Sequence, residues 1–172
     1  MGRQIYLKVV GPVAEDVIKG WMPVYPHIRY DDPNQAVAWL SRVFGFRERV
    51  RMAQPDATVI ASKLEAPGGG LVMVAWLSPE FRQWLRERVP NFRDQPERPW
   101  PYLSHVTTVL VSNVDAHHER ANAEGATILL TPTDQPWGLR SYAALDIEGH
   151  QWEFSQVLHL VEPETCGATR IR

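Results

Sequence analysis

Apolar and polar positions alternate with a period of two across residues 25–30, which puts Tyr25, His27 and Arg29 on one face of a strand and Ile28 and Tyr30 on the other. The period then lengthens. Ala36, Leu40, Val43 and Phe44 recur at helical spacing with Trp39 beside them. Asp32 before Pro33 is a helix start, with a capping carboxylate followed by proline at the first helical position, and Gly45 supplies a left-handed stop. The pattern predicts a helix over 32–44 and strands over 47–52, 58–64 and 71–76, the last pair joined through Pro67-Gly68-Gly69-Gly70. The same order then recurs: a strand at 105–111, a helix at 113–124 capped by Asn113 and closed by Gly125, and strands at 127–130, 141–146 and 150–156. The spacing from Gly45 to Gly70 agrees to one residue with that from Gly125 to Gly149.

A β-α-β-β-β unit written twice predicts an α+β domain of two tandem modules, forming a concave, partly closed mixed sheet with helices outside. Two copies are too few for a solenoid. The chain divides into an N-terminal extension (1–23), repeat one (24–77), a linker with a helix (78–101), repeat two (102–157) and a tail (158–172). The linker helix starts at Ser78-Pro79, and Phe81, Trp84, Leu85 and Val89 fall on one of its faces before Pro90. Residues 91–101 are charged and proline-rich, and residues 131–138 read as a turn-rich loop that carries Trp137 over a pocket.

Composition narrows the function. A chain of 172 residues can bury one good core, and a net charge of −2 gives no electrostatic case for nucleic acid or an anionic membrane. The single cysteine, Cys166, cannot form an internal disulfide, and no run resembles a signal peptide or a membrane span, so a cytoplasmic location is expected. Seven tryptophans are a heavy load, and a surplus suits an aromatic-lined pocket.

Two motifs resemble the vicinal oxygen chelate superfamily, in its glyoxalase/bleomycin resistance protein branch. One is Arg29-Tyr30-Asp31-Asp32-Pro33 leading to a helix closed by Phe44-Gly45-Phe46. The other, more specific, is Pro136-Trp137-Gly138-Leu139-Arg140 followed by a strand, the turn Asp146-Ile147-Glu148-Gly149 and the aromatic strand through Trp152, Glu153 and Phe154. The resemblance implies a ligand cup with one metal ligand on the first and last strand of each repeat, at Tyr25, Val74, Val106 and Glu153. Only Glu153 suits a cation: valine has no donor, and tyrosine is protonated at neutral pH. His27 is two residues from Tyr25, and His105 would face away from Val106. No metal and no cofactor are therefore expected. His117 and His118 read as a partly solvated helix face, His150 as a packed or hydrogen-bonded histidine, and Gly68–Gly70 lacks the lysine and helix of a phosphate loop.

The cup is expected to be lined by Tyr25, His27 and Arg29, by Val72, Val74 and Trp76, by Val106, Thr108 and Leu110, and by Gln151, Glu153 and Ser155, with Trp137 above. Two function classes stay open. The first is a metal-independent binding protein holding an aromatic or planar small molecule. The second is a lyase, isomerase or dioxygenase that uses a metal, or acid/base chemistry by Glu153 and His27. Cups of this kind are commonly completed by a second subunit, so a homodimer is expected, with the N-terminal segment around Trp21 as a candidate contact.

Overall fold

The computed structural model describes residues 24–89 and 105–171; the N-terminal extension and most of the linker after the helix lie outside them. The fold is α+β, two tandem modules with no closed barrel. Module one comprises β1 (His27–Tyr30), α1 (Pro33–Phe44), β2 (Arg47–Ala53), β3 (Val59–Glu65) and β4 (Leu71–Trp76). After α2 (Pro79–Arg88), module two repeats the order as β5 (Val106–Leu110), α3 (Val114–Ala123), β6 (Thr127–Asp134), β7 (Leu139–Leu145) and β8 (Gln151–Val157). Each module is a four-stranded sheet, in the orders β1-β4-β3-β2 and β5-β8-β7-β6. The first strand of each pairs parallel with the last, and the other pairings are antiparallel.

Local chemistry sets the helix ends. The Asp32 carboxylate accepts from the Gln35 N–H at 3.0 Å, and Asn113 does the same for Ala116 at 3.0 Å. Gly45 closes α1 at φ +73°, a backbone region that costs a side chain about 1–2 kcal/mol. Its neighbourhood is also tight, since a Cβ there would meet the Arg120 side chain of module two.

The two modules share one hydrophobic core. Ala36, Leu40, Val43 and Phe44 of α1 pack on Ile28, Leu64, Val72 and Val74, and the same cluster runs on into Val109, Tyr142, Trp152 and Phe154. Phe44 lies 4.7 Å from Phe154 and 6.0 Å from Trp152 between ring centroids, so α1 touches the helix-bearing faces of both sheets. Among the described residues, α1 and α3 adjoin across the seam and no β-ladder joins the two sheets. Polar links bind the seam. Arg120 donates to the Arg42 carbonyl at 2.7 Å, and Glu148 accepts from the Asp31 and Asp32 N–H groups at 2.9–3.1 Å.

Two expectations are corrected. Residues 131–134 continue β6 rather than forming a loop, and the connection to β7 is only 135–138, closed by Gln135 N–H to the Leu139 carbonyl at 2.7 Å. Pro132 is accommodated because β6 is a sheet edge with a register irregularity between Leu130 and Thr133, where a missing N–H costs no ladder bond. His117 does not belong to a solvated face. It is a bridge across the seam, with its Nδ1 2.7 Å from the Tyr142 hydroxyl and its Nε2 3.0 Å from the Phe44 carbonyl.

Candidate functional site

Strand register decides which side chains share a face. On β1, Ile28 and Tyr30 enter the core, which leaves His27 and Arg29 turned away from it, and the ring of Tyr25, just before the strand, lies 5.2 Å from that of His27. The parallel pairing aligns His27 with Met73 and Arg29 with Ala75, while Ile28 aligns with Val74 and Tyr30 with Trp76. Val74 and Trp76 therefore lie on the helix-bearing face, opposite His27 and Arg29, and Val74 is fully buried in the core. The β4 residues on the face of His27 and Arg29 are Met73 and Ala75, joined by Lys63 across the β3–β4 pair. Sequence alternation could not locate them, because Val72, Met73, Val74 and Ala75 are all buried and the strand shows no polar side.

In module two the expected residues do come together. Val106 pairs with Gln151, Thr108 with Glu153 and Leu110 with Ser155, all on the face away from the core. Ser141 and Ala143 of β7 align with Ser155 and Glu153 and join that face, although no periodic signal singles them out. Its centre is shielded (Ser155, Ala143 and Ser141 are buried), while Val106, Leu110, Leu130 and Val157 at its rim are exposed. That distribution suits a dished sheet with an apolar margin. Trp137, at the tip of the β6–β7 hairpin, is half exposed.

The polar groups on the two faces differ in charge. On module one the Arg29 guanidinium donates from Nη1 to the Trp76 carbonyl at 3.1 Å and lies 4.6 Å over the Phe81 ring of α2. Among the described residues no carboxylate pairs with it, and burial lowers its pKa. Burial and the neighbouring Arg29 charge also hold His27 below its ordinary value of 6.5, so its ring is neutral at pH 7. On module two, Ser155 Oγ donates to Glu153 Oε1 at 3.2 Å, and Ser141 Oγ lies 2.7 Å from Ser155 Oγ. A buried serine pair thus holds the one carboxylate of this face.

A metal does not fit this donor set. The four ligand positions implied by the family hold Tyr25, Val74 turned into the core, Val106 and Glu153, and among the described residues no three His, Cys, Asp or Glu side chains converge. Neither His27 nor His105 repairs it: His105 bonds to Thr107, on the other face of β5 from Val106 and Thr108.

Tandem modules with parallel first and last strands and a shared helical seam define one class of protein. The profile of the Glyoxalase/Bleomycin resistance protein/Dioxygenase superfamily matches residues 23–154, and the chain belongs to that superfamily. The structure resembles that of TioX from Micromonospora sp. ML1, at 36% identity and a TM-score of 0.57 over 78% of this chain and 98% of that one. It also resembles a glyoxalase/bleomycin resistance protein/dioxygenase family enzyme from Burkholderia phytofirmans PsJN in fold, at 20% identity and a TM-score of 0.59 over 78% and 97% of the two chains. An uncharacterized protein of Mycobacterium bovis is 28% identical over 149 residues, covering 83% of this chain and 88% of its own.

Proposed function

We propose that the protein binds an aromatic or planar small molecule without a metal, in cups built between two copies of the chain. The observation that carries this reading is the division of the candidate site. Tyr25, His27 and Arg29 occupy one face and Val106, Thr108, Gln151 and Glu153 another, and both faces turn away from the shared core. Among the described residues no strand of one sheet pairs with a strand of the other, so the two faces belong to separate sheets. A second copy that lays its module-two face on the module-one face of the first would close two equivalent cups and cover the exposed Val50, Met52, Val106, Leu110 and Leu130. Burial of apolar area at about 25 cal/mol per Å² favours that association. The pairing is also complementary in charge, with Arg29 facing Glu153 across the guest. Trp137 remains a candidate wall, since stacking on an indole adds roughly 0.5–1.5 kcal/mol for a planar guest.

Native mass spectrometry of protein purified without added metal is expected to show a dimer carrying an organic mass and no stoichiometric metal. One equivalent of metal, lost on Glu153→Gln, would overturn the reading in favour of a metalloenzyme. Mixed dimers test the composite site. Arg29→Leu and Glu153→Leu homodimers each have both cups damaged, whereas a heterodimer of the two variants has one intact cup and should regain half of the binding of the co-purified compound.

A further inference from the structure

We infer that the module-two half of the cup selects a guest bearing N–H donors, an amidinium or an aminated heteroaromatic ring, rather than an anion. This deepens the reading above and rests on it. The Oε1 atom of Gln151 is buried and has no hydrogen-bond partner among the described residues. A buried acceptor left unmade costs about 1–3 kcal/mol, so such an orphan on a binding face marks where a donor is missing.

Glu153, two residues along the same strand face, is the second acceptor. Its Oε1 takes the Ser155 hydroxyl, no cation pairs with it among the described residues, and its Oε2 has no hydrogen-bond partner there. The Ser141–Ser155 pair is fully engaged in the sheet and holds the carboxylate in place. Successive positions on a strand face repeat at about 7 Å. The guest therefore meets two acceptors spaced like the ends of a small ring, one neutral and one charged, beside the exposed apolar rim of Val106 and Leu110. Neither oxygen offers an anion a hydrogen, and the Glu153 carboxylate repels one, which leaves the Gln151 amide N–H2 as the one donor of the pair. A planar cation with a fork of N–H groups matches both, because charge-assisted pairs to a carboxylate are the strongest hydrogen bonds a face of this kind can offer.

Benzamidine, benzamide and benzoate provide the test, since they share one shape and differ in donors and charge. Calorimetric or NMR titration of the intact protein should rank them benzamidine, then benzamide, then benzoate, with the first about tenfold tighter than the second, as one charge-assisted bond would give. Glu153→Gln should abolish the preference for benzamidine over benzamide. Gln151→Met should weaken both, with the dimer and the far-UV circular dichroism unaltered. Equal binding of the three, or tightest binding of benzoate with dependence on Arg29, would overturn the donor selection while leaving the composite cup standing. Failure of all three to bind at millimolar concentration would also overturn it, and the mixed-dimer experiment judges the cup separately.

Discussion

The Tyr30 hydroxyl donates to Asp146 Oδ2 at 2.5 Å, joining residues 116 positions apart and locking module one to module two. The same carboxylate accepts from Trp152 Nε1 at 3.0 Å and lies 3.1 Å from His150 Nδ1, and its Oδ1 takes the Glu148 and His150 N–H groups at 3.0 Å. Asp146 is buried, so every one of these donors depends on it. Tyr30→Phe removes one charge-assisted bond and should lower unfolding free energy by about 1.5–3 kcal/mol. Asp146→Ala strands several buried donors together and should cost about 3–5 kcal/mol. Urea denaturation of the two variants checks the order, and equal effects would mean that Asp146 is not the hub.

The lock is also a pH-dependent element. Burial pulls the His150 pKa down, but the hydrogen bond and charge of Asp146 outweigh it, and the net shift is upward from 6.5. Burial likewise works against the Asp146 carboxylate, yet its bonds to His150, Tyr30 and Trp152 bring its pKa below 3.8. The raised histidine contributes stability that is full below 6.5 and fades as pH rises through its folded value; the depressed carboxylate contributes above 3.8 and fades as pH falls below it. His117, lowered by burial, has the opposite slope to His150, since its neutral form is the one the fold prefers. The difference between the parent and His150→Gln isolates the lock. It should be largest in mildly acidic solution and shrink toward pH 9. A difference that grows with pH would show that His150 is not held protonated by Asp146.

Close approach of backbones fixes a second point of the seam. A Cβ at Gly68 would lie 1.8 Å from the Leu110 carbonyl oxygen, whereas one at Gly69 would meet nothing within 4 Å. Gly69→Ala suffers only from its positive φ of +90°, at about 1–2 kcal/mol. Gly68→Ala must displace the turn from β5 and should cost more, with earlier thermal unfolding and faster amide exchange in β5. If Gly69→Ala proves the more damaging, the turn does not rest on module two.

Much of this was legible in the sequence. The doubled β-α-β-β-β order, the Asp32 and Asn113 caps and the Gly45 stop follow from local rules that tertiary contacts did not override. On β5 and β8 alternation placed Val106, Thr108, Gln151 and Glu153 on one face correctly, because those strands carry polar residues on that side. It failed on β4, where both sides are buried, and it could not reveal the seam. His117, Asp146 and Glu148 look like surface residues until the other module is set against them. The arrangement of two modules about a common core is a long-range property, and no period in either repeat encodes it.

The assignment of faces can be tested by truncating two valines. Val74 is fully buried between the sheet and α1, so Val74→Ala should lose about 2 kcal/mol of stability, the scale of exposing most of a buried valine side chain. It should leave the proposed dimerisation and guest binding unchanged under conditions where the variant is folded. Val106 is 38% exposed and lies beside Gln151 on the outward face, with no part in the shared core. Val106→Ala should change stability by no more than about 0.5 kcal/mol, as for surface positions generally, yet weaken binding of the guest or of the second copy. Denaturation curves paired with analytical ultracentrifugation separate the two effects. A Val74→Ala protein of parental stability that has lost its guest would return Val74 to the cup and reverse the register drawn between β1 and β4.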